Sequence, residues 1–447
     1  MLDRRDGTIL FVLTLFLLGL VHITALGETP VDRTIITVYQ NGPSLVVGRE
    51  EVELDRGVNE LVRVIPPSTL TETIFLDSPD GTVKNFRVVP AVNKESSLLE
   101  RFVGEEIAVY KSGDDGAPVE GTLVDIVSGK PLLKSSDGEF RLIQEPSEYR
   151  FESISPELQE NTLKVRLISD ERKESSLTLG YHLNGLDWSP QYVGFLDEEK
   201  GKLGLRGIAH ISNDTGWSFE QVKLYLLAGS PAREEAEGVK FFAARNVGKQ
   251  DTSAPESVFD YYRYPVDYRL NLTEGTKTQV KFLRKDTVDY HRYYRYEPAV
   301  SSAVASMIVL TNTEEKGLGL PLASGTVRIY DSTEERTFLG ADSLPNLPEG
   351  NSAELNLGKT FDVKGERKRT SHSKLDDKYW EDQVTIELTN RKDQPVTVKV
   401  IERLPGSWEI ISFNRDFEKL DSNRVQCEVR IPSDETTRIS YTVKYRY

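Results

Sequence analysis

Apolar residues in this chain recur at every second position, in short runs broken by Gly, Pro, Asn and Asp, and this period limits the fold more than any other feature. Successive side chains on a strand point to opposite faces, so each run presents one apolar face that a second layer must cover. Leu177, Leu179, Tyr181 and Leu183 share a face ahead of Asn184-Gly185, a dipeptide suited to a tight hairpin. Pro79-Asp80-Gly81 and Asp137-Gly138 are expected to close two more strand pairs. Long amphipathic helices are absent. The pattern predicts an all-β chain: tandem antiparallel β-sandwiches, an inserted small SH3-like barrel and a C-terminal immunoglobulin-like unit.

A chain of 447 residues has room for two to four cores. The first sandwich is expected over 28–95 and 149–232, interrupted at 96–148 by the small barrel, whose four short strands are Ile107–Tyr110, Thr122–Val127, Leu132–Lys134 and Phe140–Ile143. Residues 233–256, charged and short of strand pattern, read as a linker. A second sandwich over 257–370 and the immunoglobulin-like unit over 371–447 follow. The last strand alternates without error from Ile439 through Tyr441, Val443 and Tyr445 to Tyr447. Outer-membrane barrels also end on an aromatic, but no succession of strands about ten residues long accompanies it, so a soluble sandwich is the favoured reading.

Residues 1–27 read as a signal peptide or N-terminal anchor. Arg4 and Arg5 precede an apolar run from Ile9 to Leu26, and Ala25-Leu26-Gly27 supplies small residues for cleavage before Glu28. The run also approaches the roughly 20 residues that span a bilayer. The expected location is therefore outside the cytoplasm, in a periplasm, on a cell surface or secreted, with the segment cleaved or kept as an anchor. A formal net charge of −15 argues against nucleic acid as a partner, since phosphate binding needs a basic field. Envelope protein or polysaccharide is the expected partner class, with membrane contact confined to the N-terminal segment.

Several stretches carry a family likeness. Leu179-Gly180-Tyr181 is followed by Trp188-Ser189-Pro190-Gln191-Tyr192, and Ser212-Asn213-Asp214-Thr215-Gly216 by Val222-Lys223-Leu224 and Ala228-Gly229. Further on come Asn312-Thr313-Glu314-Glu315-Lys316-Gly317-Leu318-Gly319-Leu320-Pro321-Leu322, then Gly325 to Tyr330, Leu357-Gly358-Lys359 and Phe361-Asp362-Val363. In these elements, which span roughly 30–447, the chain resembles the mucoidy inhibitor A-like envelope proteins, whose C-terminal portion is a domain of unknown function, 4139. The resemblance implies tandem β domains and an envelope setting, and it carries over no catalytic residue. The long coiled coil of the larger members is missing here.

No constellation for catalysis, metal or cofactor stands out. His182, His210, His291 and His372 are scattered, without metal-ligand spacing. Gly317-Leu318-Gly319 lacks the third glycine and helix of a dinucleotide loop and reads as a hairpin turn. Ser371-His372-Ser373-Lys374 superficially resembles a Ser-x-x-Lys pair but reads as an exposed loop. Cys427, the one cysteine, alternates with Val425, Val429 and Ile431 and reads as core. The candidate binding surface is a pair of aromatic and basic segments: Tyr261, Tyr262 and Tyr264, and then Tyr290, Arg292, Tyr293, Tyr294, Arg295 and Tyr296. Such residues pack across paired strands, or they form a stacking platform for polysaccharide or protein. Alternation allows only one face of the second segment to be core. A non-enzymatic scaffold or binding protein is expected, with a hydrolase assembled only in the fold as the alternative and an outer-membrane barrel as the third.

Overall fold

A computed structural model describes residues 34–91, 95–111, 117–152, 160–229, 255–259 and 261–446. The expected signal or anchor segment, 1–27, and nearly all of the expected linker, 233–256, lie outside these residues. No helix among the described residues is long and apolar enough to cross a membrane, so the expected anchoring helix has no counterpart among them.

The described chain is essentially all β, in four sheets. The eight-stranded sheet carries Ile35–Tyr39 and Ser44–Leu54 near its middle, flanked by Phe219–Ala228 and Lys173–Leu183. A three-stranded sheet places Thr162–Ser169 between Gly57–Val64 and Thr82–Val89. Thirteen strands make the largest sheet, which runs from Phe338–Leu344 through Leu186–Asp197, Lys202–Asn213 and Thr276–Tyr296 to Tyr379–Asn390, Thr436–Arg446 and Ser407–Phe413. The last strand of the chain thus pairs on both sides.

The first three sheet systems meet face to face around the largest core. Ile36, Leu54, Leu163, Leu167 and Tyr192 are fully buried there, and burial of each of the four aliphatic side chains is worth about 1.5–3 kcal/mol. Hydrogen bonds tie the layers. Trp188 Nε1 donates to Leu227 O at 3.1 Å, and Ser44 Oγ to Leu186 O at 2.7 Å. A second core lies between Val384, Ile386, Val398, Cys427, Ile439 and their neighbours. Three of the described strands run into both regions: Thr276–Tyr296 gives Val280, Phe282 and Val288 to the first core and Tyr294 and Tyr296 to the second, and Ala303–Thr311 and Ser352–Lys374 are likewise shared. The tandem units expected from sequence therefore share strands in one continuous sheet.

The unit expected as a closed barrel is an open sheet. Its order is Pro146–Phe151, Glu106–Lys111, Val119–Val127, Lys130–Lys134, Phe140–Leu142, with the first and last strands on opposite edges. Closure would require those edges to pair. Instead the fifth strand, unforeseen in the sequence, adds beside Glu106–Lys111, and the three residues of Phe140–Leu142 stay exposed. The helix Glu95–Arg101 precedes the sheet, and Leu99 and Phe102 cover its apolar face. Two expected hairpins also change. Leu183 and Leu186 flank Asn184-Gly185, but the strands they end belong to different sheets, as do those on either side of Pro79-Asp80-Gly81; only Asp137-Gly138 joins strands that pair. Turn chemistry reverses or bends the backbone, whereas pairing depends on where the next layer stands.

Three parallel pairs recur among the described strands: Ile35–Tyr39 with Phe219–Ala228, Leu186–Asp197 with Gly325–Asp331, and Thr276–Tyr296 with Val396–Arg403. In each case the second strand follows a turn that begins at a buried asparagine, Asn213, Asn312 or Asn390. Each amide bridges chain segments: Asn213 Nδ2 donates to Trp217 O and Leu272 O, Asn312 Nδ2 to Leu320 O and Leu347 O, and Asn390 Nδ2 to Gln394 O and Pro432 O. At Asn213 the chain passes from the thirteen-stranded sheet to the eight-stranded one, and at all three turns freed backbone groups need partners.

Candidate functional site

The two Tyr/Arg segments lie mostly in the cores. Tyr264, Tyr293, Tyr294 and Tyr296 are at most 5% exposed, while Tyr261, Tyr262 and Tyr290 are half-buried. Tyr264 packs edge-on against Trp188 and Phe282, and its hydroxyl donates to Pro321 O at 3.1 Å. Tyr293 and Tyr294 point to opposite faces, yet both are buried. Tyr294 enters the second core, and Lys399 Nζ sits 4.4 Å from the Tyr293 ring centre. The arginines are paired: Arg292 with Glu198 at 2.9 Å and Arg295 with Glu354 at 3.7 Å.

Where this strand emerges, a cleft of about 380 Å³ opens. Lys200, Lys202, Asp289, Tyr290, His291 and Lys316 contribute to its walls. Register across the sheet sets Lys202 opposite Asp289, and Lys202 Nζ donates to Asp289 Oδ1. Lys316 Nζ stands 3.5 Å from the other carboxylate oxygen. These two ammonium groups, Lys202 foremost, hold the Asp289 carboxyl below the usual carboxylate range.

Lys316 is held in place by its loop. Glu314–Lys316 form a turn of 3-10 helix closed by Gly317 in the left-handed region, with φ of 88°. A Cβ at Gly317 would lie 2.1 Å from Thr287 O, so only glycine lets the turn seat against the strand two residues before Asp289. Leu318 is buried behind it, and Asn312 braces the far side. The Gly317-Leu318-Gly319 stretch thus begins at the cap of a helical turn and is not a hairpin.

Other polar clusters are internally satisfied. Glu402, 3% exposed, accepts from Arg367 Nε and from Tyr441 Oη. Asp382 meets His372 Nδ1 at 2.5 Å and Arg369 at 3.5 Å, and His372 stacks on Trp380 with ring centres 4.7 Å apart. Ser371 to Lys374 lie at the end of the strand Ser352–Lys374, not in a loop; both faces of that strand end are polar, which hid it from a hydrophobic pattern. Burial pushes the Cys427 thiol up to about 11 and keeps it protonated at neutral pH. Among the described residues no group of three or more His, Cys, Asp or Glu could hold a metal ion.

Sequence reasoning found Tyr290 but not its partners in the cleft. Lys202 and Asp289 are 87 residues apart, and no local pattern links them. The asparagine turns did have a local signal, since Ile211-Ser212-Asn213, Leu310-Thr311-Asn312 and Leu388-Thr389-Asn390 repeat one pattern of apolar residue, hydroxyl residue and asparagine. Residues 177–447 match a family model described as Domain of unknown function (DUF4139), a narrower span than the resemblance suggested. No curated protein matches the chain.

Proposed function

From the premise that the chain belongs to the DUF4139 family, we propose that it is a non-catalytic binding and scaffolding protein. The observation that carries this reading is the continuous thirteen-stranded sheet, in which the 21-residue strand Thr276–Tyr296 contributes to both cores. A sheet locked through two cores holds the surfaces at its ends in fixed relation, as a scaffold requires. The chemistry of the buried carboxylates agrees: Glu402 and Asp382 each face an arginine and a tyrosine, partners that neutralise and orient a carboxylate. The likeness of 179–192, 212–229 and 312–330 to the mucoidy inhibitor A-like proteins supports placing the chain with that branch of the family. Its partner is then a protein or polysaccharide.

Complementation of a deletion strain tests the reading. Glu402→Gln and Asp382→Asn are expected to restore the wild-type phenotype once the folded fraction is matched. Loss of complementation by a fully folded amide variant favours the alternative, a hydrolase.

A further inference from the structure

We propose that the cleft beside Asp289 is a binding site for a phosphate-bearing small molecule. The proposal deepens the binding reading above and rests on it only in taking the chain to be a binder. A volume of about 380 Å³ is more than a phosphate group needs and lies within the roughly 300–1,000 Å³ of small-ligand pockets. Lys200, Lys202 and Lys316 line it against one carboxylate, Asp289, in a chain whose net charge is −15. The nearby acids on the hairpin have partners of their own: Asp197 holds Lys200 at 2.8 Å, and Glu198 holds Arg292.

Asp289 organises the site. One carboxylate grips two ammonium groups that would otherwise repel each other, and it leaves them with one positive charge in excess. Each ammonium has three donors and uses only some on Asp289, so the rest are available to an acceptor in the cleft. A tetrahedral phosphate offers oxygens in several directions and suits point charges arriving from a strand and a loop; a planar carboxylate matches the fork of an arginine better. Val309 and the Tyr290 ring, also in the lining, give the remainder of such a molecule an apolar wall. The site is built before the ligand arrives, because Gly317, Leu318 and Asn312 fix the backbone that carries Lys316. Binding then spends little on ordering the loop. A nucleic-acid backbone is a poor candidate for the same donors, given the acidic surroundings.

Equilibrium dialysis of radiolabelled inorganic phosphate against the full chain, at constant ionic strength with chloride as the balancing anion, tests the site. Saturable binding at a single site is expected, weakened about tenfold in Lys316→Ala, restored by Lys316→Arg, and unchanged in Lys84→Ala, an exposed lysine on another sheet. Lys316 is half-exposed, so these variants should keep the wild-type unfolding midpoint. Non-saturable uptake, or equal uptake by Lys316→Ala, would mean an adventitious ion only and overturn the proposal. A failure here with complementation by the carboxylate variants intact refutes the phosphate site and leaves the scaffold reading standing.

Discussion

Arg367 and Glu402 meet inside the C-terminal core, with Arg367 Nε 3.1 and 3.0 Å from the two carboxylate oxygens and Tyr441 Oη closing the triangle at 2.6 Å from one of them. The arginine side chain is 31% exposed and the glutamate 4%, so the glutamate bears most of the desolvation. Burial lifts its carboxyl above the usual range, and Arg367 and Tyr441 offset only part of that.

Breaking this triangle from one side should therefore be severe. Arg367→Ala leaves Glu402 buried without its cation and is expected to cost about 3–5 kcal/mol. The double variant Arg367→Met, Glu402→Leu removes both charges and should lie close to wild type. Urea unfolding of the two variants checks the contrast, and equal destabilisation would show that the charges themselves stabilise the core.

The asparagine turns predict a second pattern. Asn390 is fully buried; its amide donates to Gln394 O and Pro432 O, and its side-chain oxygen accepts from Lys392 N. Asn390→Ala strands these groups and should cost about 1–3 kcal/mol, as should Asn312→Ala. Asn271, an exposed asparagine on a short strand, should lose far less. Thermal unfolding of the three alanine variants ranks them.

Tyr293 and Tyr294 are adjacent and both buried, so alanine at either position should open a cavity. The expected loss is about 3–5 kcal/mol for each. Were one of them a binding residue on an open face, its variant would keep the unfolding midpoint and lose only retention of a partner. Chemical denaturation of the two variants decides the matter.

Alkaline pH provides a test of the cores as a whole. Burial raises the phenols of Tyr181, Tyr192, Tyr264, Tyr293 and Tyr441 well above their ordinary range. The unfolded chain releases these protons near pH 10, while the folded chain keeps them. The folded state then binds more protons, so stability is complete below about pH 10 and falls as pH rises. Absorbance at 295 nm should show the exposed tyrosines titrating first and these five ionising together with loss of the folded circular dichroism signal. A smooth titration of every tyrosine with the fold intact would contradict their burial.

Alternation is a property of one strand, which is why it could be read locally. Val425, Cys427, Val429 and Ile431 are buried in turn, as are Ile439, Tyr441, Val443 and Tyr445, just as a period of two requires. That much fixed an all-β chain and the inward face of most strands. The layering of those strands was decided by contacts between distant segments. Asn184-Gly185 carries the chain from one sheet to another, the small unit stays open at both edges, and Thr276–Tyr296 is covered on both faces where Tyr293 and Tyr294 lie. The cleft belongs to the same class: Lys202, Asp289 and Lys316 come from two strands and a loop, and only cross-strand register and a glycine pressed against Thr287 bring their charges together. Local sequence specifies the direction of each side chain from its own backbone, whereas a charged site depends on distances between backbones, and tertiary packing alone sets those.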